Sequence, residues 1–181
     1  MKIGLQPLDR SELPIIADAV SAQDRDFMYL WAGSTYTYPL TIEQMEQHYS
    51  KGIHSIEAGV LIYKIVNCET QRMIGSVQLG RIDSIRKEAV VGRFLIHSEQ
   101  DRGLGIGTKV LQALVRIGFE ELDLERILLN VYHINVRAIR CYEKVGFRKT
   151  YSKRKLYQAL NGEYWNGMEM TLEKQAWMAV D

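Results

Sequence analysis

The chain has 181 residues, of which 46% are hydrophobic and 25% are charged. These fractions are ordinary for globular proteins, and they argue against a disordered or fibrous chain. The net charge of +1 lacks the strong basic excess that favours nucleic-acid binding, so we expect no nucleic-acid partner. The length fits a single domain over residues 1–181.

The sequence also predicts a protein without membrane association. The segment MKIGLQPLDR contains no long apolar stretch, and no apolar run approaches the roughly 18 residues of a membrane span. Cys68 and Cys141 match no metal or disulfide spacing. We therefore expect a cytoplasmic location, reduced thiols and no metal site.

The first third of the chain is predicted to be mainly helical after one short strand. Ser11 is expected to cap a first helix. A second helix is predicted over residues 23–32, ending at Gly33. Thr41 and Gln44 have the spacing of a capping box, which predicts the start of a third helix.

From residue 58 the pattern becomes typical of strands. GVLIYKIV and MIGSVQL are β-branched runs joined by the polar turn NCETQR, which predicts a hairpin. EAVVGRFLIH predicts a third strand with Gly92 in its middle. A glycine inside a strand often marks a bulge or a close approach to the backbone.

The second half alternates helices and strands. GTKVLQALVRIGFEEL predicts an amphipathic helix and RILLNVY a strand, and the helix NVRAIRCYEKVGF is capped by Asn135 and ended by Gly146. KRKLYQAL and EYWNGMEMTLEK flank Asn161-Gly162, a strong hairpin signal. The basic stretch YSKRKLYQ is expected to form an exposed strand face. This order predicts a mixed sheet with helices on its faces.

The stretch DRGLGIGTKVLQALV places three glycines in five positions before a helix. It is not a Walker A loop, because Thr108 precedes Lys109, and it lacks the third glycine of a dinucleotide fingerprint. The residues from Arg102 to Gly107 do satisfy the pattern [RQ]xxGx[GA]. Free N–H groups and the positive end of the helix dipole would favour a pyrophosphate there.

A second motif gives this loop a context. NVYHINVRAIRCYEKVGF, residues 130–147, contains NxxAxxxYEKxGF. The two stretches together resemble the GNAT superfamily of acetyl-CoA-dependent N-acetyltransferases, in the style of the bacterial ribosomal-protein and small-molecule amine acetyltransferases. The resemblance extends over about residues 58–150.

The resemblance implies an α/β (α+β) architecture, the GNAT fold. Its central sheet is expected to be mixed but mostly antiparallel, with about six to seven strands splayed at the cofactor cleft and helices on both faces. Residues 58–150 would form the cofactor core and residues 10–52 the helices on the acceptor side. Residues 147–174 would form a C-terminal hairpin.

The resemblance also implies that acetyl-CoA is the cofactor and that no metal is needed. The glycine loop would hold the pyrophosphate, the end of the preceding strand the pantetheine arm, and the last helix would complete the cleft. The residues implied to bind the cofactor are Leu95, Ile96, His97, Arg102, Gly103, Leu104, Gly105, Ile106, Gly107, Thr108, Asn135, Ala138 and Tyr142. For Asn135 the alternative is a plain helix N-cap.

Tyr142 matches the family tyrosine that donates a proton or hydrogen bond to the departing CoA thiolate. A phenol is a suitable donor to a thiolate. The alternative for Tyr142 is a ring that only packs on the core. Cys141 as a nucleophile is the weaker hypothesis, because neighbouring residues on a helix point about 100° apart; a structural cysteine is the favoured interpretation.

The general base is less well defined. The glutamate that some relatives carry in the strand before the loop aligns with Val90 of this chain. Glu88 lies two residues earlier and on the same strand face, so it is the candidate base, acting through water. His97 and Tyr132 are alternatives.

The implied reaction is direct transfer of an acetyl group from CoA to a primary amine of a small-molecule or peptide acceptor. The alternative is a non-catalytic acyl-CoA-binding sensor or interaction module. The acceptor stays open among protein N-termini, amino sugars, polyamines and antibiotics. Glu43, Glu46 and Glu57 could attract a polyamine, although they form no dense cluster. A homodimer is a further expectation.

Overall fold

The computed structural model describes residues 1–179. The strands are β1 (Ile3–Pro7), β2 (His54–Ser55), β3 (Val60–Asn67), β4 (Met73–Asp83), β5 (Glu88–Ile96), β6 (Arg126–Tyr132), β7 (Arg148–Gln158) and β8 (Tyr164–Glu173). The helices are α1 (Leu13–Ser21), α2 (Arg25–Ala32), α3 (Ile42–His48), α4 (Ile106–Arg116), α5 (Val136–Val145) and α6 (Lys174–Met178).

The strands form one sheet in the order β1-β3-β4-β5-β6-β8-β7, with β2 paired to β3 outside this path. All neighbours are antiparallel except β5 and β6. The predicted mixed, mostly antiparallel sheet is therefore confirmed. The sheet has eight strands rather than six to seven, because the two-residue β2 adds one.

The sheet is splayed between β5 and β6. Their parallel pairing ends at Val91 opposite Leu129, although β5 continues to Ile96. The register between β4 and β5 also shifts just beyond Gly92, and Arg93 has a φ of 46°. This combination indicates a bulge with one extra residue on β5. Gly92 therefore lies where the sheet opens, as the sequence predicted.

Helices cover both faces of the sheet. On one face α4 and the inner side of α5 pack on alternate strand residues such as Val77, Leu79 and Ile127. On the other face α1, α2 and α3 pack on Val60 and Ile62. The basic stretch of β7 is exposed, as expected.

The helix caps differ from the predictions in detail. Asp9, not Ser11, provides the first cap: its carboxylate accepts the Ser11 N–H at 2.9 Å, and α1 itself has no side-chain cap. Thr41 accepts the Gln44 N–H as predicted. The Gln44 side chain instead bonds to the backbone of Thr37 and Pro39, so the capping box is only half formed.

Among residues 1–179, no helix combines the length and apolar character needed to cross a membrane. The same residues contain no group of three or more histidine, cysteine and acidic side chains placed to hold a metal ion.

Candidate active site

The glycine loop between β5 and α4 exposes backbone N–H groups. Gly103 and Gly105 have φ values of 78° and 73°, and a Cβ on either would enter open space. The Lys109 N–H donates to the Gly105 carbonyl at 3.3 Å as α4 begins. The N–H groups of the first turn before Lys109 therefore lack helical partners. A loop of this shape fits a pyrophosphate.

Two arginines fix the loop in place. The Arg102 side chain donates from Nε and Nη2 to the Ile96 carbonyl, at 3.1 and 2.9 Å. Arg72 donates from Nη2 to both carboxylate oxygens of Asp101, which is buried. The guanidinium of Arg102 thus ties the loop to the end of β5, and it positions the N–H groups rather than extending freely into the cleft.

A cleft of about 1040 Å³ lies beside this loop, and we call it the loop cleft. It is bordered by the end of β5, the glycine loop, α5 and part of α2. Ten of the predicted cofactor-binding residues line it: Leu95, Ile96, Arg102, Gly103, Gly105, Ile106, Gly107, Thr108, Asn135 and Ala138. His97, Leu104 and Tyr142 do not line it.

The backbone of β5 identifies which of its residues face the gap left by β6. A Cβ on Gly75 would lie 2.2 Å from the Leu95 carbonyl, so that carbonyl points toward β4. The His97 N–H also donates to β4, to the Ile74 carbonyl at 2.9 Å. The backbone N–H and C=O groups of successive strand residues point to opposite sides of the strand. The backbone groups of Phe94 and Ile96 therefore face the gap. The expected backbone roles of Leu95 and His97 are not supported by this geometry.

One face of α5 adds positive charge to the loop cleft. Arg137, Arg140 and Lys144 all line it, and their spacing of three and four residues places them on one helix face. Asn135 lines the cleft too, and its side chain caps α5 by accepting the Ala138 N–H at 3.3 Å. Sequence reasoning missed the two arginines, although their spacing of three and four residues with Lys144 carried the signal.

The adjacent residues Cys141 and Tyr142 have different surroundings. Cys141 lines the loop cleft with its Sγ 3.5 Å from Thr108 Oγ1, and burial raises the pKa of its thiol, which argues against a nucleophile. The Tyr142 ring packs edge-on against Phe147, with centroids 6.2 Å apart. Burial also raises the pKa of Tyr142, so its phenol keeps its proton.

A second cleft of about 850 Å³ lies around the β5 bulge, and we call it the bulge cleft. Residues of α2, α3, β6, β7 and β8 border it. Gly92 and Arg93 line the bulge cleft, whereas Phe94 and the two residues after it line the loop cleft. Leu30 and Trp31 line both. The two clefts therefore approach each other along β5, beside the splay.

Arg93 is held at the centre of an aromatic group in the bulge cleft. Its Nη1 donates to Gln78 Oε1 at 3.0 Å, and its carbon Cζ lies 5.4 Å and 5.9 Å from the ring centroids of Tyr36 and Tyr49. Its Nη2 lies 3.1 Å from His48 Nε2. Arginine only donates, so His48 Nε2 accepts. Burial, and secondarily the Arg93 charge, lower the pKa of His48.

The carboxylates near the clefts do not match the predictions. Glu88 lies within 3.7 to 3.9 Å of Arg86 and Arg126 and lines neither cleft. It precedes Gly92 by four strand residues, about 13 Å. The expectation that Glu88 serves as the base is therefore not supported. Sequence reasoning overlooked Glu169 of β8, which lines the bulge cleft and accepts the Thr150 hydroxyl at 3.1 Å.

The remaining candidates are distributed as follows. Tyr132 lines the bulge cleft, and burial raises its pKa. His97 lines neither cleft. Glu43, Glu46 and Glu57 do not line the bulge cleft, and Glu46 forms an ion pair with Arg10.

Comparison with known proteins identifies the family and the fold of this chain. The acetyltransferase (GNAT) domain family matches residues 2–148. Spermidine N(1)-acetyltransferase of Escherichia coli strain K12 is 24% identical over 178 residues, which cover 98% of this chain and 89% of that protein. Aminoglycoside N(6')-acetyltransferase type 1 of Klebsiella pneumoniae is 29% identical over 133 residues, which cover 70% of this chain and only 65% of that protein.

The fold has close counterparts among solved structures. The crystal structure of spermidine N-acetyltransferase from Vibrio cholerae, in complex with CoA and spermine, superposes with a TM-score of 0.80. The match covers 97% of this chain and 98% of that chain at 23% sequence identity. The predicted GNAT fold is confirmed, and the chain belongs to the GNAT acetyltransferase family.

Proposed function

We propose that this chain is an N-acetyltransferase that moves the acetyl group of acetyl-CoA directly to a primary amine of a small-molecule or peptide acceptor. The observation that carries the proposal is the arrangement of two clefts on either side of the β5 bulge. One offers backbone N–H groups and cationic side chains to a phosphorylated cofactor, and the other offers polar and aromatic side chains to an acceptor.

The loop cleft fits acetyl-CoA. A Cβ on Gly103 or Gly105 would enter open space where a phosphate can approach the backbone. The first turn of α4 would bind the pyrophosphate, and Arg137 and Arg140 are placed to contact phosphate oxygens. The backbone of Phe94 and the N–H of Ile96 would bind the pantetheine arm at the splay, since the Ile96 carbonyl already accepts from Arg102. When bound, acetyl-CoA supplies an activated acetyl thioester.

Transfer forms a C–N bond and breaks the C–S bond, while the amine loses one proton and the thiolate gains one. We assign the second of these proton movements to Tyr142, because it stands at the tyrosine position of the motif NxxAxxxYEKxGF and its phenol carries a proton near pH 7. We assign the first to Glu169, acting through water, because it is the one carboxylate that lines the bulge cleft within residues 1–179.

The test is an assay of thiol release from acetyl-CoA with peptides, amino sugars, polyamines and aminoglycoside antibiotics as acceptors. We expect amine-dependent thiol release together with an acetylated product detected by mass spectrometry. Binding of acetyl-CoA in calorimetry without thiol release for any amine would instead support the alternative, an acyl-CoA-binding module without catalysis.

The expected homodimer and cytoplasmic location remain predictions. A structure of the Vibrio cholerae spermidine N-acetyltransferase is described as dodecameric, which shows that a related fold assembles. Light scattering of the purified chain at several concentrations would establish its own oligomeric state.

A further inference from the structure

The charges around the bulge cleft are unbalanced. Four basic residues line it, Lys51, Arg81, Arg93 and Lys153, against the single carboxylate of Glu169. Within the described part of the chain, no ion pair joins any of the four to an acidic side chain. The cleft is therefore a region of positive potential, which attracts anions and repels cations.

Arg93 has hydrogen-bonding capacity to spare in this cleft. Its two bonds within residues 1–179 go to neutral acceptors, Gln78 and His48, and they use two of its five N–H donors. Its Nε is fully buried and has no hydrogen-bond partner among residues 1–179. A partly buried guanidinium without a carboxylate is unusual, because buried charges are normally paired. Planar donors of this kind match the oxygens of a carboxylate or phosphate.

We infer that the acceptor is a small primary amine that also carries an anionic group, either a carboxylate or a phosphate, and that Arg93 binds this group. The inference rests on the proposed acetyl transfer. Arg93 follows Gly92, the residue at which β5 separates from β6. An anion held there leaves an amine a few bonds away beside the splay. Polyamines and aminoglycosides carry several positive charges, and the excess of basic residues disfavours them.

The first test compares matched acceptors in the thiol-release assay. The panel contains amino acids with free carboxylates, the same amino acids as C-terminal amides, O-phosphoethanolamine with ethanolamine, and spermidine. We expect kcat/KM at least tenfold higher for the anionic member of each productive pair and higher than for spermidine. The pairs also separate carboxylate from phosphate recognition. A preference for the amides, for ethanolamine or for spermidine would overturn the inference.

The variant Arg93→Gln should abolish the preference, and Arg93→Lys should keep part of it because the charge remains. Arg148→Gln removes one positive charge from an exposed residue that lines neither cleft, and as the matched control it should leave the preference intact. A preference that persists in Arg93→Gln would contradict the inference. If that variant fails to fold, Lys51→Gln combined with Lys153→Gln should still weaken the preference.

A binding experiment separates this inference from the proposed reaction. The same panel is titrated by calorimetry into the chain saturated with CoA. Anionic members should bind at least tenfold tighter than their neutral partners. If they do while no amine supports thiol release, the anion site stands and the proposed transfer fails. If neutral partners bind equally well, the inference fails regardless of turnover.

Discussion

The two clefts of this protein are formed by different parts of the chain. Most of the loop cleft comes from two short stretches, residues 94–108 and 135–144, and its glycine loop offers mainly backbone. The bulge cleft draws residues from α2, α3 and six strands, between Tyr29 and Glu169 along the chain. One site therefore depends on local conformation, and the other depends on how distant segments meet.

This difference explains how proteins of one fold can bind the same phosphorylated cofactor and yet differ in their acceptors. Backbone N–H groups at a helix N-terminus recognise phosphate whatever the neighbouring side chains are. Side chains on separate strands can be exchanged without disturbing that loop. The relatives fit this division, since one is named for spermidine and another for aminoglycosides.

The largest effect is expected from Gly105→Val. Its φ of 73° disfavours any side chain, and the added atoms would enter the open space over the glycine loop. We expect the Kd for acetyl-CoA, measured by calorimetry, to rise about 100-fold, because the pyrophosphate would lose its contact with the helix N-terminus. Gly162→Val is the matched control, because Gly162 has a φ of 85° with open space in the distant β7–β8 turn.

Equal acetyl-CoA binding by both valine variants would show that Gly105 is only a turn residue. Loss of binding in the Gly162 variant as well would point to general destabilisation. Thermal unfolding of both variants separates these outcomes, since the backbone strain of each should be similar.

The loop cleft could be predicted from the sequence because its signals are local. Three glycines before an amphipathic helix define a conformation, and Asn135 at an N-cap defines the start of α5. The exact backbone groups on β5 could not be predicted, because the bulge at Arg93 changes which residues face the gap. A bulge depends on strand register, which only the assembled sheet shows.

Tyr142→Phe tests the proposed proton donor, which lies on α5 and lines neither cleft. We expect thiol release to slow by tenfold or more, because the variant lacks the phenolic proton, while the Kd for acetyl-CoA stays nearly unchanged. Tyr164→Phe is the control, since Tyr164 is exposed and lines neither cleft. Equal rates for wild type and the Tyr142 variant would remove this tyrosine as the acid.

Glu169→Gln should have a smaller effect, about tenfold on kcat/KM at pH 7, since we propose that the carboxylate acts through water. The rate should recover as the pH approaches the pKa of the acceptor amine, because the amine then needs no base. Glu163→Gln changes an exposed carboxylate in the β7–β8 turn, outside the bulge cleft, and should leave the profile unchanged. A loss that is equal at all pH values would argue against the proton-accepting role.

The role of Glu169 could not be predicted from the sequence. No motif surrounds it, and it reaches the cleft only because β8 pairs with β6, opposite Asn130. Glu88 was a reasonable expectation from strand periodicity, yet Arg86 and Arg126 hold it at the start of β5. Periodicity gives the face of a strand but not the distance along it to the site.

Asp26→Asn should weaken the link between α2 and the C-terminal hairpin beside the bulge cleft. The Asp26 carboxylate accepts the Tyr157 hydroxyl at 2.6 Å and the Leu160 N–H at 3.0 Å. We expect the free energy of unfolding in urea to fall by about 1–3 kcal/mol. The acceptor KM should rise severalfold, with acetyl-CoA binding unchanged. Asp24→Asn is the control, because asparagine caps a helix as well as aspartate does.

The smallest effect is expected from two partly buried histidines, His48 in the bulge cleft and His97 just after β5. Burial is the main cause that lowers the pKa of His97, aided by Arg72 and Arg102, and burial with Arg93 lowers that of His48. Below a pH of about 6.5 the unfolded chain therefore binds more protons than the folded one. The free energy of unfolding should fall as pH is lowered from about 6.5 toward 5.5.

Urea unfolding across this window should show a flatter pH dependence for His97→Asn and for His48→Asn than for the wild type. Each variant lacks the imidazole whose pKa is lowered mainly by burial, so each should lose part of the wild-type slope. A slope equal to that of the wild type would mean that the fold does not hold the replaced histidine in its neutral form.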